Sequence, residues 1–222
     1  MPFDTLKKFG KGETRIEIPG EVTVTEVCET LTSIIKKRRS VRKYLKKDVP
    51  EELLEKVLES AKYAPSAGNY QPWEFIVVKN EETKKDLIAA AYHQNWIIEA
   101  PILIVACINT RLAGAVYGER GSRLYGIEAV AAAIQNMLLT AESLGLATCW
   151  VGAFSEVIVA RILECPEYVR PCAIITLGYP AEEPRVPPKQ SIQEFVHVEK
   201  FGETLKMKSI EKEKKPTYMK FR

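Results

Sequence analysis

Hydrophobic residues along the chain recur either at helical spacing or in short continuous runs. In residues 48–65, "DVPEELLEKVLESAKYAP", they fall on one face at a period of 3.6, which predicts a helix that begins near Pro50 and ends before Pro65. The runs "WEFIVVK" (73–79) and "APILIVACIN" (100–109) predict strands. The second run is apolar throughout, which predicts a strand buried on both faces.

Weaker patterns flank this region. Residues 14–27 alternate apolar and polar positions, which predicts one or two short strands, and residues 29–38 have helical spacing. Asn80 suits the N-cap of a helix over 81–92. Residues 109–126 are rich in glycine and arginine and show no period, so a mobile loop or a short helix is expected there.

The C-terminal half adds further helices and strands. A helix over 127–144, ended by Gly145, is apolar on nearly every face, which predicts a central helix or a subunit interface. The stretches "ATCWVGAF" (147–154) and "RPCAIITLGYP" (170–180) predict strands, and Ser155 is expected to cap the helix between them. Because helices and strands alternate, the predicted fold is a layered α/β domain with helices on both faces of one sheet.

Composition and charge narrow the function classes. The chain has 222 residues, 46% of them hydrophobic, which suffices for one sizeable domain. Its net charge of +3, from 32 basic and 29 acidic residues, is too balanced for a protein whose whole surface binds nucleic acid. No apolar run of transmembrane length and no apolar leader segment stand out, which predicts a soluble, cytoplasmic protein. The five cysteines form no C-x-x-C motif and are expected to be buried thiols, and with two histidines no metal site is expected.

A basic run over residues 36–47 holds eight basic residues in twelve positions. At its centre Arg38, Arg39, Ser40 and Arg42 stand close together. Arginine forks match the geometry of phosphate, and a serine hydroxyl adds a donor. The run therefore fits a ligand that carries a phosphate, the backbone of RNA or DNA, or simply a solvated helix end.

The loop "APSAGNYQPW" (64–73) carries no group for acid–base or nucleophilic chemistry. The amides of Asn69 and Gln71 both donate and accept hydrogen bonds, which suits the edge of a polar heteroaromatic ring. Small residues such as Ser66 and Gly68 let the backbone approach a flat ligand closely. The alternative is a well-formed turn that leads into a core strand.

A Gly–Ala pair, Gly152 and Ala153, ends the strand that contains "CWVGAF". Such a pair exposes backbone N–H groups to a ligand, or it is only a strand leaving the core through small residues. With the basic run and the loop, the pair indicates a ligand that has a phosphate at one end and a planar polar ring at the other. This pattern is typical of a protein whose cofactor carries the chemistry.

The sequence resembles the FMN-dependent nitroreductase family, which includes nitroreductases and flavin reductases. Four stretches carry the resemblance in the family's order, over roughly residues 31–198: "RRSVRKY", "ESAKYAPSAGNYQPWEFIVV", "AAAIQNMLLTAESLGLATCWVGAF" and "IITLGYPAEEPR". The resemblance implies an α+β fold, a three-layer α/β/α sandwich with a mixed, mainly antiparallel sheet, in an intimate homodimer with FMN at the subunit interface. It also implies an N-terminal extension (1–30), an FMN-binding domain (31–198) and a basic C-terminal arm (199–222).

The resemblance also assigns residues to the cofactor. Two groups would bind the FMN phosphate and ribityl chain, namely the cluster in the basic run and a basic residue after "GYP": Arg38, Arg39, Ser40 and Arg42, with Arg185 or Lys189. The isoalloxazine ring would be lined by the loop and by the Gly–Ala pair, whose backbone N–H groups would lie near N5 and O4: Pro65, Ser66, Asn69, the supporting Gln71, Gly152 and Ala153.

The implied activity is hydride transfer from NADH or NADPH, through the flavin, to a small acceptor such as a nitroaromatic or a quinone, in a ping-pong sequence. No nucleic-acid or membrane partner is implied. Three alternatives stay open at this point: reductive dehalogenation or dehydrogenation on the same fold, a protein that holds FMN without turnover, and a nucleic-acid-binding protein built on the basic run.

Overall fold

The computed structural model describes residues 24–204, and it divides the chain into two units, Met1–Glu183 and Pro184–Arg222. The first unit contains the sheet and its helices. Helix α1 spans Val24–Lys37, so the strand predicted over 14–27 is wrong for its last four residues. The rest of that predicted strand lies outside the described residues, as does most of the predicted basic arm.

Within residues 24–204, four strands form one sheet in which every pair of neighbours is antiparallel. They are β1 (Trp73–Val78), β2 (Ile102–Asn109), β3 (Ala147–Val151) and β4 (Val169–Gly178). The spatial order is β1-β2-β4-β3, so β1 and β3 form the two edges. All of these strands were predicted from the sequence.

Strand β2 divides the core in two because alternate residues of a strand point to opposite faces. Ile102, Ile104 and their alternate neighbours belong to one apolar cluster, and Leu103, Val105 and Cys107 belong to the other. Every residue from 102 to 108 is at most 2% exposed, as the continuous apolar run predicted. Both faces are therefore covered, which confirms the three-layer α/β/α sandwich.

The described part of the first unit contains five more helices: α2 (Glu51–Ala61), α3 (Glu81–Ala90), α4 (Thr110–Arg120), α5 (Gly126–Ser143) and α6 (Glu156–Ile162). Residues of α2 and α5 lie in the cluster with Ile104, whereas α3 and α6 contribute to the cluster with Leu103. The predicted caps are confirmed. The Asn80 side chain accepts a hydrogen bond from the Thr83 N–H, and the Ser155 hydroxyl accepts one from the Ile158 N–H.

For residues 109–126 the prediction of a mobile loop is wrong, and the alternative prediction of a helix is confirmed. Helix α4 is followed by one π-helical turn, Gly121–Tyr125, that continues into α5. Gly118 interrupts α4 with a φ of 54°, whereas the two glycines that follow α4 are explained by packing. A Cβ at Gly126 would lie 2.0 Å from Ile108 Cδ1, and one at Gly121 would lie 2.0 Å from the Ala113 carbonyl oxygen.

Helix α5 is a central helix of its own chain, as predicted. Its apolar residues at helical spacing pack into the core, and Gly145 follows its end with φ 73°. The sequence was expected to contain no stretch of transmembrane length, but Thr110–Ser143 is a helical stretch long and apolar enough to cross a membrane by length and composition. Core helices of soluble proteins have the same character, and α5 packs in this way. Location in the cytoplasm stays a prediction.

The second unit, described from Pro184 to Thr204, contains one short 3-10 turn, Ile192–Glu194. A single β-bridge joins His197 to Thr204. The predicted domain bounds at 31 and 198 differ from this division at Glu183 and stay a prediction.

Candidate functional site

The basic segment, defined here as Arg38–Arg42, runs along the edge strand β3. Ser40 forms a parallel bridge with Thr148, and the Val41 N–H donates to the Thr148 carbonyl at 3.0 Å. The Val41 side chain is buried, at 5% exposure. In extended backbone alternate side chains point to opposite sides. Ser40 and Arg42 therefore share the side away from the core, where a ligand can reach both.

The three arginines of the segment differ in their partners. Arg39 donates from Nη1 to the Arg38 carbonyl at 2.8 Å and to the Lys36 carbonyl, and its Nε is buried without a hydrogen-bond partner among the described residues. Within the described part of the chain, neither Arg38 nor Arg42 forms a salt bridge. The Arg42 guanidinium carbon lies 5.5 Å from the centroid of the Trp96 ring. Two guanidinium groups without a carboxylate partner suit a bound anion.

The thiol of Cys149 lies close to this segment. Burial raises the pKa of Cys149, and the charge of Arg42, a hydrogen bond with Ser40 and the charge of Arg38 partly offset that rise. The thiol therefore stays neutral near neutral pH and packs against the segment. It adds no negative charge that would compete with an anion.

The loop between Ala64 and Trp73 is held by its own side chains. The Gln71 N–H donates to the Ser66 hydroxyl at 3.0 Å, and Gln71 Nε2 donates to Asn69 Oδ1 at 3.2 Å. Gly68, Asn69 and Gln71 have φ angles of 58°, 58° and 49°, in the left-handed region. Pro65, at the start of the loop, is exposed. The loop is thus one tight, internally bonded turn that presents amides to solvent.

At the other edge of the sheet, β3 leads into the exposed pair Gly152 and Ala153. Gln94, which follows α3, donates from Nε2 to the Ala153 carbonyl at 3.0 Å. This contact fixes the orientation of the peptide that follows Ala153. No local pattern pointed to Gln94, because it lies 59 positions from Ala153 in the sequence.

Sequence reasoning also missed two tyrosines beside the loop. The hydroxyl of Tyr117, on α4, would lie 3.3 Å from a Cβ placed at Gly68. The Tyr117 ring packs edge-on against Tyr125 with a centroid separation of 5.3 Å, and Arg120 Nε donates to the Tyr125 hydroxyl at 2.8 Å. These tyrosines were missed because the sequence predicted no helical face for residues 109–126. Glycines in that stretch obscured the helical spacing of the apolar residues.

Within a single copy of the protein, only some of the predicted site residues lie close together. The basic segment and the Gly152–Ala153 pair both flank β3, whereas the loop enters β1 at the opposite edge. Strands β2 and β4 lie between them, so β1 and β3 are separated by three interstrand spacings of about 4.8 Å each. Arg185 and Lys189 are exposed residues of the second unit, and their role stays a prediction.

The groups at the β3 edge fit the phosphate of a flavin mononucleotide. The edge offers guanidinium groups from Arg38 and Arg42, the hydroxyl of Ser40 and the unpartnered buried Nε of Arg39. All four are donors, and donors with positive charge select phosphate oxygens. The side-chain amides of the loop that leads into β1 can donate and accept hydrogen bonds, which suits the polar edge of a flavin ring.

Comparison with known proteins agrees with this geometry. A protein of Methanothermobacter thermautotrophicus, whose name refers to an NADH dehydrogenase or NAD(P)H nitroreductase, is 36% identical over 173 residues, which cover 76% of this chain and 85% of the relative. The FMN reductase [NAD(P)H] of Bacillus subtilis is 31% identical over 183 residues, 74% of this chain and 71% of the relative. The structure of B. megaterium NfrA2 superposes with a TM-score of 0.72 at 28% identity and covers 77% of this chain and 74% of that one.

The family model gives the assignment directly. The model of the nitroreductase family matches residues 35–101 and 88–179, which together span the basic segment, the loop, the whole sheet and α5. The fold, the order of the motifs and the relatives agree with that match. The chain therefore belongs to the nitroreductase family of oxidoreductases.

Proposed function

We propose that this protein is an FMN-dependent oxidoreductase that takes hydride from NADH or NADPH and passes it to a small acceptor such as a nitroaromatic or a quinone. The observation that carries the proposal is the basic segment on the β3 edge. Its backbone is bonded to Thr148 and its Arg38 and Arg42 guanidinium groups have no carboxylate partner in the described chain. Membership of the nitroreductase family and the relative named as an FMN reductase support the choice of flavin.

The chain's own residues would bind and orient the cofactor. Arg38, Ser40 and Arg42 would hold the phosphate, and the charge of Arg39 would add to the positive potential there. In the second unit, Arg185 or Lys189 would add one more positive charge. When bound, FMN would supply the redox chemistry for hydride transfer from NADH or NADPH to the acceptor in a ping-pong sequence.

The ring of the cofactor would be bound by the groups with neutral polar chemistry. Pro65, Ser66 and Asn69 would line it, with Gln71 bracing the loop through its two hydrogen bonds. The backbone N–H groups at Gly152 and Ala153 would donate to the ring edge near N5 and O4.

A homodimer is part of the proposal, and the separation of the two edges supports it. The basic segment, which would bind the phosphate, and the loop, which would bind the ring, flank opposite edges of one sheet. A second copy that brings its β1 edge to the β3 edge of the first would complete the site. Each flavin would then lie between two subunits, and the twofold arrangement would make two equal sites.

The test is the visible spectrum of the purified protein before and after anaerobic addition of NADPH. We expect a yellow protein whose flavin absorbance disappears on reduction, and its return on adding a quinone or nitroaromatic identifies the acceptor. Yellow protein that neither NADH nor NADPH reduces would leave a protein that only holds FMN. Colourless protein that does not take up added FMN would overturn the proposal, and salt-dependent binding of RNA or DNA would then be tested.

A matched pair of variants tests the residue assignment. Arg38→Ala/Arg42→Ala removes two charges from the proposed phosphate site, and Lys37→Ala/Lys46→Ala removes two charges from the same run outside it. A charge-assisted hydrogen bond contributes about 1.5–3 kcal/mol, so the arginine variant should lose FMN affinity at least tenfold. Equal affinity in the two variants would show that the charges act only as a general positive field.

A further inference from the structure

Tyr44 follows the basic segment, and its hydroxyl lies inside the protein. The side chain is 6% exposed, and its oxygen is 2.7 Å from the Val41 carbonyl oxygen and 2.6 Å from Thr176 Oγ1. Thr176, on β4, is fully buried. The phenol therefore joins the segment to the centre of the sheet.

The direction of these hydrogen bonds follows from their chemistry. A carbonyl can only accept, so the single proton of the Tyr44 hydroxyl goes to Val41. The Thr176 hydroxyl then donates to Tyr44 at 2.6 Å, the shorter of its two contacts, since the Cys149 carbonyl lies at 3.4 Å, and the Thr176 oxygen accepts from the Cys149 N–H at 2.9 Å. Every member of this chain has its partners. Burial also raises the pKa of Tyr44, so the phenol stays protonated and keeps its donor at any physiological pH.

This chain of hydrogen bonds ends at Val41. Its N–H donates to Thr148 on β3 and its carbonyl accepts from Tyr44, so both of its backbone polar groups are bonded. Ser40 and Arg42, on either side, take their direction from the two peptide planes of Val41. The plane that leads to Arg42 is held at both ends, since the Arg42 N–H donates to Glu182 Oε1 at 2.7 Å and the Val41 carbonyl accepts from Tyr44. Removal of the Tyr44 hydroxyl would leave that plane with the Glu182 contact alone and leave the plane that leads to Ser40 bonded to Thr148.

Packing also holds the ring of Tyr44 in place. A Cβ at Gly178 would lie 2.9 Å from Tyr44 Cδ1 and 2.6 Å from Pro101 Cδ, so the ring fills space that only glycine leaves open. Phenylalanine at position 44 keeps this contact. Loss of the hydroxyl can therefore be separated from loss of the ring.

We propose that Tyr44 is a positioning residue that aims Ser40 and Arg42 at the phosphate of the bound flavin through the carbonyl of Val41. The inference rests on the proposed function. It predicts a specific defect, because riboflavin has the same ring and ribityl chain as FMN but no phosphate. If Ser40 and Arg42 lose their orientation, FMN binding should weaken and riboflavin binding should be unchanged.

The experiment compares the dissociation constants of FMN and riboflavin for flavin-free protein by fluorescence titration, with the melting temperature measured alongside. For Tyr44→Phe we expect an FMN affinity about three- to tenfold lower, as for one lost hydrogen bond, and an unchanged riboflavin affinity. Tyr92→Phe is the matched control, since Tyr92 is 66% exposed, and it should leave both constants unchanged.

Variants of Thr176 keep the inference testable if Tyr44→Phe does not fold. Thr176→Ser retains the hydroxyl and should keep the wild-type preference for FMN over riboflavin. Thr176→Val removes the donor to Tyr44 and should reduce that preference. A general loss of stability would lower both affinities together, so a parallel fall would refute positioning.

The outcomes separate this inference from the proposed function. Wild-type protein that binds neither flavin refutes both. Wild-type protein that prefers FMN, with an unchanged preference in Tyr44→Phe and Thr176→Val, refutes only the role of Tyr44. An unchanged preference in Arg38→Ala/Arg42→Ala would refute the phosphate site on which the inference depends.

Discussion

Gly68 is the position at which a single added methyl group should most directly disturb the loop between Ala64 and Trp73, which we propose binds the flavin ring. Its φ is 58°, a conformation that costs an L-residue about 1–2 kcal/mol. A Cβ there would also lie 2.7 Å from Cε2 and 2.8 Å from Cδ2 of Tyr70, closer than carbon atoms can approach. In Gly68→Ala the Tyr70 ring must therefore move, and the loop with it.

Gly145 supplies the matched control. Its φ is 73°, so Gly145→Ala has the same backbone cost, but nothing lies within 4 Å of the added Cβ. The backbone cost alone should remove about 1–2 kcal/mol of unfolding free energy from each variant, which lowers the melting temperature of a chain this long by about 2–4 °C per kcal/mol. The contact with Tyr70 should add to the loss in Gly68→Ala. Only Gly68→Ala should also lose affinity for flavin.

The assay combines thermal unfolding of the flavin-free proteins with titration by FMN and by riboflavin. Because the loop is assigned to the ring, Gly68→Ala should weaken both ligands by the same factor, about tenfold for a displacement that costs one hydrogen bond. Unchanged affinity for both ligands, with the expected fall in melting temperature, would refute the assignment of the loop to the flavin ring.

Three further predictions concern stability and reactivity. Ile104→Ala removes a fully buried side chain next to α5 and should cost about 2–5 kcal/mol in a denaturant titration, and a smaller loss would mean that the core collapses around the cavity. Arg170 donates two hydrogen bonds to Glu156 and lowers its pKa, so this pair stabilises the fold above the ordinary pKa of a glutamate and stops doing so as the pH falls through the lowered value. Glu156→Gln should flatten that acid limb of the stability curve by at most about 1 kcal/mol, because the pair is half-exposed, and an unchanged limb would count against the pair. With a thiol reagent the exposed Cys28 should react quickly and the buried Cys107, whose pKa burial raises, only after unfolding; rapid reaction of Cys107 in the folded protein would contradict its burial.

The layers of the fold could be predicted because their signal is local. The continuous apolar run of β2 and the caps Asn80 and Ser155 each report on neighbours within a few residues. The helical stretch from α4 into α5 could not, since Gly121 and Gly126 serve contacts with Ala113 and Ile108 that the chain brings close only when folded. Periodicity averages over a window and reads such glycines as breakers.

The site divides in the same way. The motif with Arg38, Ser40 and Arg42 is contiguous, so residue type alone indicated phosphate chemistry. The supports of the site are not contiguous. Gln94 reaches Ala153 across 59 positions, and Tyr44 reaches Thr176 across 132. Their roles depend on which strands are neighbours, and that information appears only in the folded structure.

The bridge between Ser40 and Thr148 has a consequence for solubility. Strand β3 is an edge of the sheet, and an open edge is a template on which a second chain can add a strand and begin to aggregate. The basic segment occupies part of that edge and surrounds it with like charges, which repel a second copy of the same surface. A ligand that holds the segment against β3 would thus also protect the edge. If that ligand is FMN, depletion of riboflavin precursors in an expression host should increase the fraction of this protein found in inclusion bodies.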